Sequence, residues 1–146
     1  MLRLSRLSDY AVVLLSELGT APDGSVRNAA ALALATGIAE PTVAKVLKLL
    51  AAGGLVVSQR GAHGGYRLAR PLAETAIADV IDAIEGPIAL AACVEQAGGC
   101  EHECICRVRG RWDPVNAAIR RALSEITLAD MACPAWALPQ PAAAGG

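Results

Sequence analysis

The stretch TGIAEPTVAKVLKLLAAGGLVVSQRGAHGGYRLAR, residues 36–70, decides how the chain reads. Gly37 is placed to end one helix, and Pro41 suits the first turn of the next. Val43, Val46, Leu47 and Leu50 then form an apolar stripe at helical spacing, and Gly53-Gly54 closes it. Two helices joined by a short glycine-containing turn make a helix-turn-helix. The next segment is β-rich: Leu55–Ser58 and Tyr66–Leu68 flank RGAHGG, a turn whose glycines permit positive φ. A hairpin placed directly after such a helix is a wing.

Geometry assigns roles within this segment. A helix in the major groove offers its N-terminal residues to base edges, here Glu40, Thr42 and Lys45, while a wing lays Arg60 and Arg67 along phosphates or in the minor groove. His63 reads as a solvated turn residue at the wing tip.

Upstream, a first helix is expected from Ser8 or Asp9 through Leu14 to Gly19, and a second in SVRNAAALALATG from near Ser25 to Gly37. Downstream of Pro71, Ile77, Val80, Ile81 and Ile84 predict a short amphipathic helix before Gly86-Pro87. Further on, Trp112, Val115, Ile119, Ala122 and Ile126 follow the a/d spacing of a coiled-coil seam, which implies a partner helix, and Asp113-Pro114 suits its start. An intramolecular core helix is the alternative for these barely two heptads. The expected fold class is mainly α with a small β-wing: a winged helix-turn-helix domain over 1–91, a cysteine-rich sensor loop over 92–110, a long C-terminal dimerisation helix over 111–131 and a disordered tail over 132–146.

At 146 residues there is chain enough for one core. Residues 1–70 carry eight Lys/Arg against four acids, whereas residues 71–146 carry five against ten. A basic half joined to an acidic one suggests a polyanion partner for the first and another task for the second. The hydrophobic content, 54%, is alanine-rich and without an uninterrupted apolar run of about 18 residues. No export signal is read at the N-terminus, so a cytoplasmic protein is expected, with neither a membrane nor a small-molecule substrate as partner. Catalysis is not expected, because no Ser/His/Asp set, phosphate-binding loop or paired carboxylates appear.

CVEQAGGCEHECIC, residues 93–106, holds four of the five cysteines and one of the two histidines. In a reducing compartment such clusters are more often metal-binding or redox-active than disulfide-bonded. The gaps lack the tight pairs of a zinc knuckle. Cys93, Cys100 and Cys106 form a wide C-x6-C-x5-C loop that fits an iron-sulfur cluster, while zinc and a thiol switch remain open on spacing alone. Cys133 stands apart in the tail.

Taken together, LSDYAVVLL, TGIAEPTVAKVLKLL, the wing segment, AIADVIDAIEGPI and the cysteine loop resemble the Rrf-two family of winged-helix regulators, which includes the iron-sulfur sensors IscR and NsrR. CRVRGRWDPVNAAIRRALSEITLADM is most similar to the subgroup regulating SUF-type iron-sulfur cluster assembly. The resemblance implies a homodimeric transcription factor on a double-stranded DNA operator, with Cys93, Cys100 and Cys106 as ligands of a 2Fe-2S or 4Fe-4S cluster. Two departures stand out. The first gap is one residue longer than the family's usual five, and Arg109 replaces the ligand histidine of the IscR branch; an arginine stays protonated and cannot ligate. Asp9 occupies the place where NsrR-like members supply an acidic ligand from the partner subunit; its other reading is a helix N-cap. Cys104 and His102 compete with it as fourth ligand. Two other functions stay in view: a nitric oxide or thiol sensor of the same fold, and a small iron-sulfur or redox carrier.

Overall fold

The computed structural model describes residues 3–91, 94, 107–108 and 110–132; the expectations for 92–93, 95–106, 109 and the tail from 133 lie outside the described residues. Helix α1 (Arg6–Gly19) begins where the Ser5 side chain accepts from the Ser8 N–H. Ser5, not Ser8 or Asp9, is therefore the N-cap. Asp9 instead stands in the first turn, where its charge complements the positive end of the helix. Helix α2 (Ala29–Thr36) is capped by Asn28, whose side chain accepts from the Ala31 N–H at 2.8 Å, and ends on Gly37 at φ 74°. The chain then bends by 116° into α3 (Glu40–Ala52), within the range of a helix-turn-helix. Val43, Val46, Leu47 and Leu50 of α3 are all fully buried, as their stripe requires.

Strands β1 (Val56–Gln59) and β2 (Gly65–Leu68) pair antiparallel, with Val57 opposite Arg67 and Ser58 opposite Tyr66. Arg27 pairs with Tyr66 on the far edge of β2 through two hydrogen bonds of 2.9 Å. That third edge requires a glycine: a Cβ on Gly65 would lie 2.7 Å from the Arg27 carbonyl carbon. Past a 3₁₀ turn (Leu72–Glu74), α4 (Ile77–Glu85) packs against α1 and α3. The core joins Leu14, Leu15 and Leu18 of α1, Leu32 of α2, the α3 stripe, and Val80 and Ile81 of α4.

The segment expected as one helix over 111–131 is two. Helix α5 (Asp113–Glu125) stops at Ile126, and α6 (Leu128–Ala132) starts afresh. Thr127 and Asp130 explain the break: the Thr127 N–H donates to the Asp130 carboxylate at 2.9 Å, and the Asp130 N–H donates to the Thr127 hydroxyl at 3.2 Å. This is a capping box, which favours a new N-terminus over continuation. The break lets residues 126–128 pair with 75–77 and sends Leu128, fully buried, into the core. Trp112, Val115 and Ile126 of the expected seam are exposed; α5 turns Asn116 inward instead. Among the described residues no single helix is long and apolar enough to cross a membrane.

Candidate nucleic-acid interface and the base of the cysteine loop

The first turn of α3 carries Glu40, exposed, and Thr42, half-buried, with exposed Lys45 one turn further on. Lys48 stands three residues beyond Lys45, on the same side of the helix. It borders a groove of about 350 Å³ shared with Ser58, Gln59, Arg60, Gly65 and Tyr66, so the recognition-type helix and the wing meet along one surface. Arg67 is exposed on β2, and His63 is exposed at the tip. Glu40, Thr42 and Lys45 thus share the N-terminal half of α3, while Arg60 lies across the groove. Sequence reasoning had passed over Lys48; its three-residue step from Lys45 was the available signal.

The basic surplus of residues 1–70 is unequally usable. Arg27 is tied to Glu17, fastening the extra edge pairing to α1, and Arg70 pairs with Asp79 of α4 at 3.2 Å. Lys45, Lys48, Arg60 and Arg67 have no acidic partner among the described residues. Structural ion pairs therefore take up arginines behind the wing and leave those on the helix-wing surface available to an external anion.

Cys93, Cys100, Cys104, Cys106 and His102 lie outside the described residues. Among the described residues no three His, Cys, Asp or Glu side chains converge to hold a metal, so a ligand set has to draw on the loop. The loop's base is well defined. Asp82 of α4 accepts the Ile88 N–H at 3.2 Å, and Asn116 of α5 accepts the Leu90 N–H and donates to the Ile88 carbonyl, both at 3.1 Å. Asp82 also meets Arg120 of α5 at 3.4 Å. None of these contacts was foreseen from sequence.

Asp9 is exposed and lines a cleft of about 660 Å³ with Arg3, Arg6, Ser8, Glu85 and Met131. No side chain among the described residues hydrogen-bonds its carboxylate. Nearby, the carboxyl of Glu85 sits below the usual glutamate range because the Ser8 hydroxyl and then the Ser5 N–H donate to it.

Known proteins are similar to this chain in sequence and fold. The sequence profile of Rrf2, described as an iron-dependent transcriptional regulator family, matches residues 4–134. Rv1287 of Mycobacterium tuberculosis strain H37Rv, a protein assigned to the HTH-type transcriptional regulators, is 37% identical over 139 residues, covering 95% of this chain and 85% of that protein. Two solved structures are similar at 27% identity. CymR, the global cysteine regulator of B. subtilis, superposes with a TM-score of 0.67 over 90% of this chain and 97% of CymR. IscR of T. potens superposes with a TM-score of 0.65 over 96% and 94%. Helix-turn-helix, wing and family profile agree over nearly the whole chain, which belongs to the Rrf2 family of transcriptional regulators.

Proposed function

We propose that this chain is a homodimeric regulator that binds a double-stranded DNA operator and reads iron-sulfur cluster status, controlling genes of SUF-type cluster assembly. The observation that carries the DNA-binding half is the shared surface of α3 and the wing, where Lys48 and Arg60 line one groove with Lys45 a step along the helix, none of the three with an acidic partner among the described residues; Arg67 stands on the other face of the hairpin, beside residues 18–25. Lysines and arginines there fix register on phosphates, and Glu40, Thr42 and Lys45 are placed to read base edges.

Cys93, Cys100 and Cys106 would hold the cluster, with Asp9 of the partner subunit, Cys104 or His102 as fourth ligand. A set dominated by thiolates suits an iron-sulfur cluster. Asp9 fits such a role because Ser5 has taken over the capping duty and its carboxylate faces a cleft. When bound, the cluster supplies a group that oxygen, nitric oxide or iron shortage can alter. The chain's residues then do the transmitting: the loop stem is tied to α4 and α5, and α4 packs on the recognition helix. The exposed Trp112, Val115 and Ile126 of the α5 region offer an apolar face for a second copy, and two copies would present two recognition helices to two half-sites.

A cluster-free thiol sensor is the second reading, favoured by the chain's equal identity to CymR and to IscR. Membership in a transcriptional-regulator family replaces the carrier alternative. The test is anaerobic purification with iron, acid-labile sulfide and zinc measured per chain alongside the visible spectrum. Iron and sulfide in matching amounts, with absorption that bleaches in air, support the cluster; colourless protein that cannot be reconstituted, or protein holding only zinc, leaves the thiol or structural-metal reading.

A further inference from the structure

The segment that leads into the cysteine loop belongs to no helix or sheet, yet its backbone is held at three points. Ile88 N–H donates to Asp82, Leu90 N–H donates to Asn116 Oδ1, and Asn116 Nδ2 donates to the Ile88 carbonyl. One side-chain amide serving a carbonyl and the N–H two residues on does what a neighbouring strand would do. Asn116 is 6% exposed on a helix whose other described positions are exposed or half-buried. Its oxygen faces an N–H and its nitrogen faces a carbonyl, so only this amide orientation satisfies both bonds.

Chain order gives the contact its meaning. Residues 88–90 precede the cysteine loop and Asn116 follows it, so this amide closes residues 91–115 into a ring. Cys93 lies three residues beyond Leu90, and Cys106 lies seven before the start of α5. Bringing loop ends together costs chain entropy, and a base that is already closed removes part of that cost from the step in which the thiols converge. We propose that Asn116 is the positioning residue of the sensor loop: it holds the loop's two ends together so that the thiols can reach one metal group, and together with Asp82 it links the loop to α4 and hence to α3. The inference rests on the reading that the loop thiols hold a metal group.

Two variants separate the hydrogen bonds from the packing. Asn116→Leu keeps the branched four-atom side-chain shape, with slightly larger ends, and removes both bonds; Asn116→Asp keeps the acceptor for Leu90 and removes the donor to Ile88. Reduced apo-protein is titrated with Co²⁺ alone, whose thiolate charge-transfer absorption reports cysteine ligation. Wild type is expected to bind Co²⁺ roughly tenfold more tightly than N116L, the size of effect that losing the net contribution of one or two hydrogen bonds holding the loop base would give, with N116D between them. Amide exchange at Leu90 is expected to accelerate in N116L, while affinity for non-specific DNA stays within about twofold, because the helix-wing surface is not involved. Should N116L lose DNA binding as well, N116D carries the comparison. Equal Co²⁺ affinity in wild type and the folded variants, or no uptake by any of them, overturns the assignment. Cobalt reports converging thiolates whatever the natural group is, so finding no iron in the wild-type protein would retire the cluster reading while leaving this test intact.

Discussion

The hydroxyl of Ser8, in the first turn of α1, donates to the carboxylate of Glu85, the last residue of α4. The same carboxylate accepts the Ser5 N–H at 2.7 Å, so the turn that carries Asp9 is fastened to the helix that leads into the cysteine loop. Because both donors favour the charged form, Glu85 has a folded-state pKa below its ordinary value. Such a group adds stability above its unfolded pKa of about 4.3, and that stability is lost as pH falls through the lower folded value. Ser8→Ala is expected to cost about 1 kcal/mol at pH 7, since Glu85 is largely exposed and screened. Urea unfolding shows the loss at pH 7 and a smaller one at acid pH, as the carboxylate protonates below its lowered folded-state value. An equal loss at both values would mean that Ser8 acts through packing alone.

Gly65 has no room for a side chain beneath the Arg27 backbone. Gly65→Ala is expected to push the Arg27 edge away from β2 and to destabilise the fold by about 1–3 kcal/mol, as overpacking does. Thermal unfolding measures the cost, and amide exchange at Arg27 and Tyr66 shows where it falls. Wild-type protection at both amides would contradict this account of the third edge.

Lys48→Ala and Arg60→Ala on the helix-wing surface, and Arg67→Ala on the other face of the wing, are expected to weaken binding to operator and unrelated DNA alike, each lowering the salt slope by about 1. Thr42→Ala and Lys45→Ala are expected instead to change which operator bases are preferred. Fluorescence anisotropy across a salt series and an operator mutant set separates the two behaviours. Unaltered operator affinity in all five variants would remove this surface from the DNA interface.

Much of this surface was legible in the sequence, because strong local signals agree with the tertiary fold: Gly37, Pro41 and the α3 stripe set the helix-turn-helix, and the RGAHGG turn sets the wing. Legibility fell where a local choice is made by a distant partner. Ser5, Ser8 and Asp9 are all plausible caps on local chemistry, and the contact of Ser5 and Ser8 with Glu85 joins that turn to residues nearly 80 positions away. Arg27 pairs across β2 as a single bridge, too short to leave an alternating pattern. The seam from Trp112 to Ile126 suggested one long helix, whereas the TLAD box at 127–130 carried a readable stop that the periodicity obscured. Asn116 could not be singled out at all, since its partners are backbone groups.

The broken C-terminal segment buries one apolar position and leaves others exposed. Leu128 is fully buried, and Leu128→Ala is expected to cost about 2–5 kcal/mol by opening a cavity beneath α6. Val115 is 43% exposed, and Val115→Asp is expected to leave unfolding of the single chain within about 0.5 kcal/mol while sedimentation shifts from two chains to one. A V115D variant that sediments as two chains would move the dimer contact away from this face.

In the proposed function, the cysteine loop sets how tightly the helix-wing surface holds DNA. Operator affinity is measured on one preparation before and after treatment with an anaerobic iron chelator, at fixed salt, on the promoter DNA it selects from its own genome. The account predicts a change of roughly tenfold or more, the size of an ordinary coupling between two sites, with non-specific affinity unchanged. Equal operator affinity with and without the cluster would contradict it, leaving a winged-helix DNA-binding protein whose loop serves another purpose.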